Sequence, residues 1–415
     1  MLGTDQERLR ADVRRLFAGD APLSGAPFDL YRALRTYAPV LRDEAQVVVT
    51  RYDDIAAIIK DPERFSSRTM DGSHVRTALE RAPAADLPLL EDLVYLRRQQ
   101  MVMNDAPEHR RLRATAHKAF TPRRVAQMRG SIQVLTDRLV DRVADAEVVD
   151  WMAVARQLPL LVVIEMFDFP AADHEFIREW GDTWARFWGT ERSNLAATHR
   201  LTTSFNDYVR EQIAERRRRP TTDLLAGLIE AEEEGGRLTE DELLVMVANT
   251  LFAGHETTIN LLGNGMLCLV REPGQQRLLR DDPGLISSAV EEFLRFESPV
   301  HNVRRRVVDD CELHGEWLRT GDTLQLVVAS ANRDGDRFVY PDRLDVTRTD
   351  NRHLTFGAGV HFCLGAALAR LEAEVVFGTI LRRTKQLELA GAALDWQPNS
   401  LFRGLRALPL TVRWS

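Results

Sequence analysis

Residues 356–365 read Phe356-Gly357-Ala358-Gly359-Val360-His361-Phe362-Cys363-Leu364-Gly365, and the apolar stretch 366–381 follows at helical spacing. The segment therefore predicts a glycine-rich turn that delivers Cys363 to the N-terminal end of a helix. Unpaired N–H groups and the positive dipole end favour a thiolate there, which predicts a lowered thiol pKa. Glycines at 357, 359 and 365 let the backbone turn tightly and approach a flat partner without side-chain clash. A bulky planar ligand meets that requirement. An isolated cysteine is usually a small buried hydrophobe; that reading suits Cys268 and Cys311, which lack such a context.

Upstream of this loop, residues 332–353 are rich in Asp, Arg and Pro and predict an irregular but tethered stretch. A helix is expected over 283–296, ending before Pro299, with strands over 303–308 and 323–328. Thr239 with Glu242 three residues later forms a capping box, and apolar residues continue to Val270 before Pro273 stops the helix. At 1.5 Å per residue that helix is roughly 45 Å long, enough to cross a domain. Earlier still, 28–37 and 53–59 predict helices around a strand at 46–52, and Pro107 opens another helix. Residues 123–229 predict helices broken near Asp150, Pro170, Thr190 and Pro220. The sheet content is minor, no repeat or linker divides the chain, and one domain over 1–415 is expected.

The 415 residues are 44% hydrophobic and 28% charged, as in an ordinary globular protein with a large core. A net charge of -7 argues against nucleic acid as a partner. The longest apolar run, Leu158 to Ile164, holds Pro159 and stops at Glu165, too short for a membrane span. The first twenty residues are laced with Arg, Asp and Glu and lack the apolar centre of a secretory signal. Three widely spaced cysteines form neither a disulfide framework nor a zinc site. A soluble protein of the cytoplasm is expected.

The decapeptide resembles the haem-binding loop of the cytochrome P-450 family, F-G-x-G-x-(R or H)-x-C-x-G. Further family marks follow in order along most of the chain. Ala253-Gly254-His255-Glu256-Thr257-Thr258, in the long helix, is similar to the oxygen-activation motif, and Glu292 to Arg295 matches the E-x-x-R helix. Alone, that last pattern would only mark an i,i+3 ion pair. Residues 105–113, Asp-Ala-Pro-Glu-His-Arg-Arg-Leu-Arg, resemble the family helix that meets the haem propionates. Leu344 stands where the family often has phenylalanine, a departure in packing.

The resemblance implies a mainly α fold with small β-sheets, a triangular prism whose long central helix lies over haem b. It implies Cys363 as the iron ligand, with Phe356, Gly357 and Gly365 shaping the loop. His109, Arg113, Arg305 and His361 would bind the propionates, a buried dianion needing charge-assisted donors. Arg348 would complete the network of Glu292 and Arg295. Glu256 and Thr257 would deliver protons: a carboxyl group amid apolar residues is costly without a task, although a threonine in such a helix more often bonds back to a carbonyl. Gly254 lowers helix propensity and would allow a local opening for dioxygen and water.

The implied reaction inserts one oxygen atom from O2 into an organic small molecule, as in the hydroxylases and epoxidases that tailor secondary metabolites. Electrons would come from NAD(P)H through a ferredoxin reductase and a ferredoxin, with Arg110, Arg111, Lys118, Arg123 and Arg124 as a basic docking face on a monomer. Peroxygenation, coupling, nitration or dealkylation are the alternatives, and a haem sensor without turnover is the remote one. The pocket is expected to use Asn249, Ala253, Val300, His301, Asn302 and Phe402, while Trp184, Phe187 and Trp188 serve equally as pocket wall or as core.

Overall fold

The long helix forms where its capping box predicts. In the computed structural model it runs Glu240–Arg271: Thr239 Oγ1 accepts from the Glu242 N–H at 3.2 Å, and Glu242 Oε2 accepts from the Thr239 N–H at 2.9 Å. The structure describes residues 3–43, 46–188, 194–233, 238–391 and 393–415. The break expected near Thr190 lies outside them.

Residues 258–270 of this helix are buried all round, the mark of a helix inside a protein rather than on its face. Helices Leu158–Met166, Trp151–Ala155, Ile286–Phe296 and Ala366–Arg383 pack on it. Small residues set the approach. A Cβ on Gly265 would stand 2.6 Å from Phe377 and 3.0 Å from Phe293, and one on Gly254 would stand 2.9 Å from Val163 Cγ2. No break in the helix marks the opening expected at Gly254. Its missing side chain admits a neighbouring helix instead.

One core cluster joins the second half of the long helix to Ala366–Arg383 and the C-terminal strands. Another joins its first half to His174–Trp188 and Leu195–Arg218. Trp184 belongs to this second core, with Trp180 stacked 3.8 Å from Phe205 beside it. Core is thus the reading that holds for Trp184.

The sheets are small. Gln46–Val49 pairs antiparallel with Val40–Asp43 and parallel with Thr323–Leu326, which pairs antiparallel with Val303–Val307. The expected helix at 53–59 starts one residue earlier, as Tyr52–Lys60. In the span read as overwhelmingly helical, Val148–Asp150 forms a strand against Pro409–Trp414. Asp150 then caps the next helix, accepting from the Met152 N–H at 3.0 Å. Three residues at a sheet edge, one of them a cap, carry too short a pattern to reveal themselves. Among the described residues no helix is long and apolar enough to cross a membrane.

Residues 332–353 are irregular and fixed by side chains. Arg295 and Glu292, both 0% exposed, meet through Nε–Oε2 at 2.8 Å and Nη2–Oε1 at 2.7 Å. Arg295 also donates to the carbonyls of Asn332, Pro341 and Arg343. Glu292 accepts from Arg348 Nε at 3.1 Å, Asn351 Nδ2 at 3.1 Å and the Asp345 N–H at 2.9 Å. A buried ion pair is tolerable when every lone pair and proton is used in this way. The network anchors the segment that leads to Cys363.

Candidate active site

Gly357 and Gly359 adopt φ of 69° and 66°, conformations that side-chain-bearing residues rarely take, and the chain turns back so that the Cys363 N–H donates to Phe356 O at 2.8 Å. The helix Ala366–Arg383 begins three residues after the cysteine. Gly365 has an ordinary φ of -85°, with nothing within 4 Å of where a Cβ would be, so it keeps the cavity wall open. The accessible surface of Cys363 is cavity surface. Burial raises the thiol pKa, more than the N–H groups of Gly365 and Ala366 and the charges of Arg113 and Arg370 lower it. Desolvation therefore opposes the lowering expected from the helix end.

Above the cysteine lies a space of about 1390 Å³, roofed by Ala253, Gly254 and Thr257 of the long helix. Phe356 and Phe362 are on the loop side. Phe356 is held from behind: the Arg370 guanidinium lies 4.5 Å from its ring centre and bonds Glu291 at 2.6 and 2.9 Å.

Basic side chains gather at one edge of this space. The His109 and His361 rings lie 4.1 Å apart, and Arg113 Nη2 donates to Phe362 O at 2.6 Å. His109 Nε2 is buried without a partner. Arg305 does not line the cavity but acts on both histidines through its charge. The nearby carboxylate of Asp105 is turned to Ser66 Oγ and the Ser67 N–H rather than to these basic groups. Burial, then Arg305, His109 and Arg113, hold His361 at a pKa of about 3, and burial brings Arg305 to about 10. Depressed basic groups around an orphaned N–H are what an anion would relieve. A flat dianion with a thiol-seeking metal, which is to say haem, fits these residues.

Thr257 and Glu256 face different spaces. Thr257 lines the main cavity and its Oγ1 donates to Ala253 O at 2.7 Å. Glu256 lines a second cavity of about 970 Å³ with Arg156, Arg178, Asp182 and His255. Burial raises the Glu256 pKa against the Asn260 amide, which donates to its Oε1 at 3.2 Å.

Of the residues expected in the substrate pocket, Asn249, Ala253 and Val300 line the cavity. Three do not. His301 is buried beside Tyr31, whose hydroxyl lies 3.0 Å from its Nδ1; Asn302 donates to Ser400 O; Phe402 bridges Val300 through its backbone and packs against Phe252. An extended stretch entering the sheet fixes these side chains by pairing, which single-sequence reading misses. Sequence reading also passed over Gln99, Met101 and Val102, all in the cavity wall. Met101 and Val102 follow a helix end and precede Pro107, where an apolar pair in a short connection was the available signal. Arg111, expected on a docking face, is tied to Glu242 of the capping box, with Nη1–Oε2 at 2.8 Å. The side chain of Lys118 lies outside the described residues.

The comparisons with known proteins agree with this geometry. A family model described as Cytochrome P450 matches residues 182–283 and 284–389. The polyketide biosynthesis cytochrome P450 PksS of Bacillus subtilis (strain 168) is 35% identical over 398 residues, covering 93% of this chain and 96% of that one. Among solved structures, P450BioI in complex with a hexadec-9Z-enoic acid ligated acyl carrier protein superposes with a TM-score of 0.86 at 34% identity, covering 94% of this chain and 100% of the other. The myxobacterial CYP267B1, solved with myristic acid, gives 0.84 at 34% identity, with 96% and 98% covered. Motif order, the cavity between cysteine loop and long helix, and full-length similarity meet in one conclusion: the chain belongs to the cytochrome P450 family and is a haem-dependent monooxygenase.

Proposed function

We propose that this enzyme is a single-domain, monomeric tailoring hydroxylase or epoxidase of secondary metabolism. It works in the cytoplasm with haem b, and NAD(P)H supplies its electrons through a ferredoxin reductase and a ferredoxin. Cys363 would hold the iron, with His109, Arg113, Arg305 and His361 on the propionates. Haem, when bound, supplies the redox chemistry, one oxygen atom of O2 going to the substrate and the other to water.

The observation that carries the reading is the division of two neighbouring residues between two cavities. Glu256, whose pKa burial raises, borders the polar cavity lined by Arg156, Arg178 and Asp182. Thr257 borders the cavity above Cys363. Its hydroxyl proton is committed to Ala253 O, so its lone pairs are left to hold a water there. A reorientation of the Glu256 carboxyl would carry a proton from the polar cavity toward the reaction space beside Thr257, one residue along the same helix. Apolar walls at Val163, Met246, Leu294 and Val300 would orient the substrate and exclude bulk water.

The substrate is a polyketide, peptide or terpenoid, and the relative named for polyketide biosynthesis supports the first of these. The test is a titration of the haem-loaded enzyme with compounds of these classes, read as a Soret shift, followed by product analysis with a ferredoxin system. An oxygenated product dependent on NAD(P)H and O2 is expected. Product formed with hydrogen peroxide alone would instead establish the peroxygenase reading, and no product under either condition would leave a non-catalytic haem protein.

A further inference from the structure

Two arginines outside the basic cluster carry charge that no described side chain neutralises. Arg97, in the last turn of the helix Leu87–Arg98, lies 4.4 Å from the ring centre of Trp188, and its Nε is buried without a hydrogen-bond partner. Arg304, on the strand Val303–Val307, donates from Nε to Gln325 Oε1 at 3.3 Å. Among the described residues neither has a carboxylate partner, whereas the adjacent Arg98 pairs with Asp71 at 3.2 Å. Burial, then repulsion from Arg304, brings the Arg97 pKa down to about 9, so the two charges act on each other. Arg304 reaches the surface, yet burial of its guanidinium lowers its pKa too.

Both elements pack against the turn Thr69–Asp71. Both continue into the main cavity, where Gln99 and Met101 follow Arg97 and where Val300 precedes Arg304. Strand alternation puts Arg304 on the opposite face from Arg305. The pair is therefore distinct from the cluster formed with His109 and His361.

Two neighbouring guanidinium groups partly withdrawn from water are costly unless an anion joins them. Trp188 fixes the plane of one fork, so little order need be gained on binding a planar anion. We infer that Arg97 and Arg304 form a carboxylate clamp at the rim of the cavity, so that the substrate is an amphiphile with an apolar body and a carboxylate at one end. This rests on the monooxygenase reading of the cavity. Met101, Val102, Met246 and Leu294 offer the apolar body its walls.

The test compares myristic acid with methyl myristate, which share a chain and differ in charge, by Soret titration of the haem-loaded protein at neutral pH. The wild type is expected to bind the acid at least about tenfold more tightly, the scale of a charge-assisted hydrogen bond. Arg97→Gln and Arg304→Gln should each remove that preference by weakening the acid alone. Equal affinity of the wild type for acid and ester, no Soret response to either, or unchanged acid binding in both variants would overturn the clamp. Loss of haem from Arg304→Gln would overturn it as well, by assigning that arginine to the cofactor edge. The band of the ferrous carbon monoxide complex, read on the same samples, keeps the two readings apart. Without a thiolate-type band the haem-thiolate reading fails, and with the band but no acid preference only the clamp fails.

Discussion

At the scale of single residues, Glu256 and Thr257 give the sharpest expectations. Thr257→Ala removes the oxygen proposed to hold water in the cavity, so haem content and substrate binding should stay while reducing equivalents shift from product to hydrogen peroxide. Glu256→Gln keeps an acceptor for Asn260 but cannot give up a proton. Its turnover should fall by roughly 10²–10⁴-fold with an altered solvent isotope effect. Wild-type rate and coupling in both variants would make the pair structural. Cys363→Ala should abolish the red-shifted Soret band of the carbon monoxide complex, and Cys268→Ala should keep it because that thiol is buried in the packed core. The residues legible in sequence were those whose type is chemically unusual for its place: a cysteine after glycines, a carboxyl group in an apolar helix. His301 and Asn302 misled because a polar residue near a pocket and one satisfied by Tyr31 or Ser400 look alike until the sheet is formed.

Helices and their contacts carry a second set of expectations. Gly265→Ala pushes a methyl group into Phe377 and Phe293 and should cost about 1–3 kcal/mol by overpacking, read as a lower melting temperature. A normal melting temperature would show that the two rings yield. Glu291 ties the helix Ile286–Phe296 to Arg370 on the cysteine helix. Burial alone would raise its pKa, but hydrogen bonds from Arg370 and the His353 ring nitrogen 3.4 Å away take it from the ordinary value of 4.5 down to about 2. A depressed carboxyl pKa stabilises the fold above 4.5 and loses that contribution as pH falls toward 2. The stability advantage of wild type over Glu291→Gln should therefore be full at about pH 6 and shrink at about pH 3, measured by urea midpoints. A constant difference would remove the tie. The long helix was legible because its cap and its proline stop are local signals, whereas the use of Gly254 depends on Val163, on a different helix.

For the whole molecule, the basic face is the feature that structure revises most. With Arg111 held by Glu242, the exposed Arg110 and Arg123 are the better candidates for meeting an acidic ferredoxin. Reduction should slow as salt rises, since such attraction is screened over about 8 Å at physiological ionic strength. Charge reversal at Arg110 and Arg123 should lower the electron-transfer rate and leave substrate affinity alone. A salt-independent rate would dismiss this face. Overall architecture was legible from motif order rather than from periodicity, because the sheet joins segments far apart in sequence. That sheet also carries a temporal meaning. The strand at residues 46–49 leaves the ribosome long before its parallel neighbour at 323–326 exists, and non-local pairing of this kind forms late. Cys363 is made later still. Loading of a cofactor held by Cys363 would therefore follow the synthesis of most helices, and a chain stalled before that loop would be a folded vestibule with no floor.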